Sequence, residues 1–144
     1  MMDIRPLSPD YAVSPQIDPE DFAAIRAAGY TTVIDNRPDA EIPSSHHADR
    51  MRQAAEAANL TFVENPVVGG ALTMANVTAQ AEAMAASAGP VLAYCASGNR
   101  SSIVWSLVQA GRMETGAILA AAERAGYQLG HLRPQIEALA EGRR

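Results

Sequence analysis

Cysteine is nearly absent from this chain: one residue, Cys95, stands among 144. A solitary thiol cannot close an internal disulfide, and it excludes a four-cysteine zinc site. Long apolar runs are missing as well. No stretch reaches the roughly 18 consecutive apolar residues of a membrane span, and the segment MMDIRPLSPDYAV carries no apolar signal core. A reducing cytoplasm is therefore the expected compartment, with no membrane partner. Basic stripes are lacking too. The 11 Lys and Arg are outnumbered by 16 Asp and Glu, for a net charge of -5, which argues against nucleic acid as a partner. Any anionic ligand must be small and held locally. No internal repeat is present.

What is there suffices for one ordinary core: 48% of residues are apolar and 19% charged, and residues 1–144 read as a single domain. Tyr11 to Val13 reads as a short strand. Asp18-Pro19-Glu20-Asp21 reads as a helix start, with Phe22 and Ile25 on the apolar face and Gly29 at the end. Thr31 to Ile34 and Leu60 to Val63 read as strands, separated by a helix with Met51, Ala54, Ala55 and Ala58 inward. Thr73 can cap a helix bearing Val77, Ala81 and Met84, which Gly89-Pro90 stops. Val91 to Tyr94 reads as a central strand, and the rest as helices over Ser101–Gln109, Thr115–Ala125 and about Leu132–Ala140. This alternation predicts an α/β fold, a mainly parallel sheet covered on both faces. Ligands of such sheets sit at the carboxyl ends of the strands, where Cys95 falls.

The stretch YCASGNRSS delivers that cysteine to a strand-to-helix turn. Such a turn aims several backbone N–H groups into one space, and the helix dipole adds positive character. A thiol held there favours its thiolate, the nucleophilic form, provided that solvent and substrate reach it. Gly98 can take a positive φ, Arg100 offers a planar fork to an oxyanion, and Ser101 can cap the helix or hydrogen-bond the thiolate. Cys95 and Arg100 are thus the candidate catalytic residues, with Ala96, Ser97, Gly98, Asn99 and Ser101 as the anion cradle. Arg37 joins them, because Asn36-Arg37-Pro38-Asp39 follows a strand and reaches the same sheet edge; the alternative is a local turn pairing with Asp39. Gly69-Gly70 lets a neighbouring loop approach the pocket, or simply makes a turn.

Cys-x-x-Gly-x-Arg-Ser after an apolar strand resembles the cysteine loops of rhodaneses and of cysteine phosphatases. More closely, nearly the whole chain resembles the bacterial family known as DUF442, the phosphatase-like domain of beta-lactamase-hydrolase-like proteins, some of whose members are called sulfurtransferases. The resemblance is carried by Val33 to Asp39, Pro66-Val67, Tyr94 to Ser101 and Ala125-Gly126-Tyr127. It implies a protein-tyrosine-phosphatase-like three-layer sandwich, with about four to five strands and activity divided between phosphate ester and sulfur chemistry.

Two features favour sulfur within that division. Tyrosine and dual-specificity phosphatases place five residues between cysteine and arginine, whereas here Ala96, Ser97, Gly98 and Asn99 alone intervene. Those enzymes also use an aspartic acid between the last two strands to protonate the leaving alcohol; from Val67 to Tyr94 this chain has only Glu82, mid-helix, though Asp39 could swing in from its loop. The expected function is therefore rhodanese-like: Cys95 takes sulfane sulfur from a small anionic donor such as thiosulfate or glutathione persulfide. It then passes the sulfur to an external thiol or cyanide, because no second cysteine resolves the persulfide internally. A phosphatase working through a Cys95 phosphocysteine is the alternative, and a non-catalytic anion or persulfide binder the third reading. None needs a cofactor or a metal: His46-His47 with Asp49 lacks further ligands at a plausible spacing. His131 reads as a surface or capping residue and Trp105 as core.

Overall fold

Period-two alternation along three short strands sorts the core onto the two sides of one sheet. In the computed structural model, which describes residues 2–144, Tyr11, Val13, Ile34, Val91 and Ala93 face one hydrophobic cluster, and Ala12, Val33, Leu92 and Tyr94 face the other. The strands are β1 (Arg5–Ser8), β2 (Tyr11–Ser14), β3 (Thr32–Asp35), β4 (Thr61–Glu64) and β5 (Val91–Tyr94). Their order across the sheet is β1-β2-β5-β3-β4. Parallel pairing joins β2, β5, β3 and β4, while β1 runs antiparallel at the edge. β5 is central, as its continuous burial requires.

Helices α1 (Phe22–Ala27) and α2 (Ala48–Ala57) lie on the second face, where Phe22, Ile25, Met51 and Ala55 are buried. Helices α3 (Met74–Ala86), α4 (Asn99–Gln109), α5 (Thr115–Arg124) and α6 (Arg133–Gly142) cover the first. The three-layer architecture is thus the one expected. β1 is the strand that sequence reading misses, because Arg-Pro-Leu-Ser buries only Leu7 and carries a proline, which edge strands tolerate.

α4 is enclosed on nearly all sides. Val104, Trp105, Leu107 and Val108 are buried in it together with Ser101, Ser102 and Ser106. Its inner serines keep their hydroxyls satisfied: Ser102 Oγ donates to Gly98 O at 2.8 Å and Ser106 Oγ to Ser102 O at 2.8 Å. Trp105 is core, as expected, stacked on Tyr11 with ring centroids 6.0 Å apart.

Candidate active site

The strand register brings the candidate residues to one edge. Ser14, Tyr94, Asp35 and Glu64 lie side by side at the ends of β2, β5, β3 and β4. The residues that leave those strands, Pro15-Gln16, Cys95, Asn36-Arg37 and Asn65, therefore share that edge. Backbone hydrogen bonds tie them: Asn36 N donates to Tyr94 O at 2.8 Å, Val67 N to Asn36 O at 2.9 Å, and Gln16 N to Ala96 O at 3.3 Å.

The loop from Cys95 curls back on itself. Gly98 adopts φ +93 as the residue preceding α4, and its N–H donates to Cys95 Sγ at 3.1 Å. From behind, the Tyr127 hydroxyl donates to Ser97 O at 2.9 Å. Ala96, Ser97 and Asn99 face solvent, but Cys95 itself has no exposed surface. This corrects the expectation of a solvent-reachable sulfur: Cys95 continues the central strand, and its own loop folds over it. Its immediate hydrogen-bond partner is nonetheless a backbone amide and not an aliphatic wall.

Ser101 also departs from expectation. Gly98 precedes the helix in the capping position, so Ser101 falls inside the first turn; its hydroxyl donates to Asn36 Oδ1 at 2.9 Å and not to the sulfur. That contact opens a buried amide network. Gln80 on α3 gives Nε2 to Tyr11 Oη and Asn36 Oδ1, at 3.0 and 3.1 Å, and its Oε1 accepts from Asn36 Nδ2 and Asn65 Nδ2, at 2.9 and 2.8 Å. Tyr11 in turn donates to Ser101 O at 2.9 Å. Every hydrogen-bonding site of the Gln80 amide is filled.

Arg100 meets a residue that sequence reading passes over. Its Nη1 and Nη2 grip the Glu41 carboxylate at 2.8 and 2.7 Å, and Nη1 also reaches Val67 O at 2.8 Å. Arg37 does arrive at the same place, but through Glu41 and not Asp39: its Nε lies 3.4 Å from Glu41 Oε1, and its Nη1 donates to Gln16 Oε1 at 3.3 Å. Arg100 holds the Glu41 carboxyl below the usual carboxylate range. Asp39 is engaged elsewhere in this structure: its Oδ1 accepts Ala48 N at 2.8 Å at the start of α2. His46 and His47 pin the same segment, His46 to Asp18 Oδ1 at 2.7 Å and His47 to Ile42 O at 2.9 Å. Glu41 stands four residues after Arg37, the one sequence hint that these two would meet.

Beside Arg100 a cavity of about 250 Å³ opens between Val67, Val68, Leu72 and Ile103. A larger surface cavity, about 610 Å³, lies at the far end of α4 around Gly111 to Gly116 and Arg133, and none of the cysteine-loop residues line it.

Beneath the site lies a second titratable group. Asp35 is 2% exposed, and burial pushes its carboxyl up to about 7, against the Arg37 N–H that donates to Oδ1 at 2.8 Å. The buried Tyr94 hydroxyl, without a hydrogen-bond partner among the described residues, lies in the field of this carboxyl. An unfolded aspartate ionises near 3.8, so between about pH 4 and 7 the folded chain keeps a proton that the unfolded chain has released. The contribution of Asp35 is full below about pH 4 and is lost as pH rises through 7. Asp35→Asn keeps the acceptor for Arg37 N and removes the titration. Relative to the parent, the variant should gain up to about 4 kcal/mol between pH 4 and 8, read from urea unfolding at both pH values; parallel pH profiles would contradict this.

A central parallel strand ending in a cysteine loop, with helix and arginine following directly, defines a protein-tyrosine-phosphatase-like domain. The chain belongs to the family described as beta-lactamase hydrolase-like protein, phosphatase-like domain, whose model matches residues 3–112. A beta-lactamase hydrolase-like protein of Xylella fastidiosa is 32% identical over 131 residues, which is 90% of this chain and 30% of that protein. The chain thus spans about a third of the length of the curated relatives it matches. A presumed phosphatase from Neisseria meningitidis superposes with a TM-score of 0.83 at 30% identity, over 96% of this chain and 99% of that one. Tk-PTP in its active form, 16% identical, shares the fold with a TM-score of 0.75, over 99% and 98% of the two chains. These likenesses bear out the family resemblance and the fold. They favour the phosphatase alternative over sulfur transfer, which none of them supports.

Proposed function

We propose that the chain is a cysteine-dependent phosphoester hydrolase. In this reading the Cys95 sulfur attacks phosphorus, the P–O bond to the leaving group breaks, and a phosphocysteine forms. Water then attacks the phosphorus, the P–S bond breaks, the sulfur regains its electron pair, and inorganic phosphate leaves. The carrying observation is the Gly98 N–H directed at Sγ at 3.1 Å where α4 begins, with Arg100 in the first turn: a backbone donor, a helix N-terminus and a cation beside one sulfur favour an anionic ligand there. The family description and the Neisseria likeness support the same chemistry.

The leaving group sets the substrate class. Val67 to Tyr94 supplies only Glu82, on α3, as an acid, so esters whose leaving group departs with little protonation are favoured, and aryl phosphates lead. Because Cys95 is fully covered, the loop must open to admit substrate. The test is parallel incubation with an aryl phosphate and with thiosulfate, followed by phosphate release and intact mass. A phosphoryl adduct mapped to Cys95, with turnover, is the expected result. A persulfide from thiosulfate without phosphate release would return the site to sulfur transfer, the reading that its four-residue spacing suggests. Neither adduct would leave a binding module.

A further inference from the structure

Arginine carries five N–H groups, arranged as an end-on fork (Nη1 with Nη2) and a side-on fork (Nε with Nη2). At Arg100 the donors can be assigned one by one. Nη1 uses both of its hydrogens, one on Glu41 Oε2 and one on Val67 O. Nη2 uses one on Glu41 Oε1. The remaining Nη2 hydrogen and Nε–H meet no protein oxygen or nitrogen acceptor among the described residues. These two make up the side-on fork, which matches two oxygens of an oxyanion. After Glu41, Cys95 favours the charged guanidinium both by its charge and as a hydrogen-bonding group, so the sulfur lies beside it.

We infer that Glu41 is the positioning residue for Arg100: it grips the end-on fork, with Val67 O as the second anchor, and leaves the side-on fork free for the oxyanion at Cys95. The inference rests on the reading of Arg100 as the oxyanion holder.

Glu41 is built for this role. Its turn is closed by Glu41 N donating to Pro38 O at 3.0 Å and Ile42 N to Asp39 O at 3.2 Å. Asp39 ties that turn to the start of α2 at 2.8 Å, and Arg37 Nη2 holds the Glu41 carbonyl at 3.3 Å. The carboxylate therefore has a fixed base. Arg100 is the less exposed partner, its side chain 16% accessible against 34% for Glu41. The rival view, that Glu41 blocks the site by mimicking a substrate anion, predicts that both forks would be taken or that the carboxylate would sit on the side-on fork. Neither is the case.

Glu41→Asp separates the two views, because it keeps the negative charge and withdraws the carboxylate by one methylene. Inorganic phosphate binding to the full chain, measured by calorimetry, should weaken by about tenfold, the size of one charge-assisted hydrogen-bond contact. In an Arg100→Lys background, which has no fork, adding Glu41→Asp should change nothing further. A second reading needs no ligand: the Arg100 Nε–H resonance should be sharp in the parent and broadened in the variant. Equal or tighter phosphate binding by Glu41→Asp, no phosphate binding by the parent, or an unchanged Nε–H signal would each overturn the assignment. If phosphate binds with this Glu41 dependence but no phosphoester turns over, the hydrolase reading falls and the positioning role stands. If phosphoesters turn over but binding is independent of Glu41, the positioning role falls and the hydrolase reading stands.

Discussion

Replacing Gly98 by alanine is expected to lower aryl phosphate turnover at least about a hundredfold and to cost about 2–4 kcal/mol of stability. Two independent obstacles meet at this position. The backbone sits at φ +93, where a Cβ is disfavoured, and that Cβ would stand 2.1 Å from the Tyr127 hydroxyl and 2.9 Å from its Cζ. Tyr127 cannot simply turn away, since it is buried and holds Ser97 O at 2.9 Å. Either the phenol leaves and the loop loses its rear support, or the loop shifts and the Gly98 N–H leaves the sulfur. Gly70, also at positive φ but with nothing within 4 Å of its would-be Cβ, is the control: its alanine variant should lose only about 1 kcal/mol of backbone preference. Thermal unfolding and kcat/KM of both variants measure the contrast. Tyr127→Phe added to Gly98→Ala should cost less than the two changes summed, because the closest clashing atom is gone. A Gly98→Ala variant with parental turnover would show that the amide on Sγ does not matter.

The fold is legible where side chains repeat with a structural period. Strands such as Val91-Leu92-Ala93-Tyr94 and the breaks at Gly29, Gly89 and Gly126 announce themselves locally, and the cysteine loop follows from its place after the central strand. The site's second half is not legible, for a physical reason. Glu41 acts on Arg100 across 59 residues, from a loop of single 3-10 turns with no apolar period to fix its direction. Sequence alone places Arg37 at the right edge, yet it points to the nearer Asp39 as a partner, and that carboxylate instead serves α2. The covering of Cys95 escapes sequence reading because spacing says that a loop turns and does not say which way its atoms face.

Gln80 is the least legible residue of all. In the run NVTAQAEAM an amide looks like a solvated helix position, yet its side chain is fully buried and its partners lie 15, 44 and 69 residues away. Gln80→Leu, similar in volume, should therefore destabilise the chain by about 3–5 kcal/mol, a large share of the roughly 5–15 kcal/mol that keeps a domain folded. The substitution removes four hydrogen bonds unequally. Asn36 Nδ2 keeps Asn65 O and Asn65 Nδ2 keeps Asn76 O, but each amide is left with one buried N–H that has no acceptor, at about 1–3 kcal/mol apiece. Tyr11 Oη and Asn36 Oδ1 lose a donor each and keep Ser101, so their cost is smaller. A functional symptom should accompany the stability loss. With Gln80 gone, Asn65 O and Ser101 Oγ alone hold the Asn36 amide, so the acceptor of Ser101 is less firmly fixed and the first turn of α4, which carries Arg100, loosens. Urea unfolding should show the stability loss, and phosphate binding under folding conditions should weaken with it. A Gln80→Leu variant within about 1 kcal/mol of the parent would mean that water or rearranged amides replace the network, and that α3 has no hold on the cysteine loop.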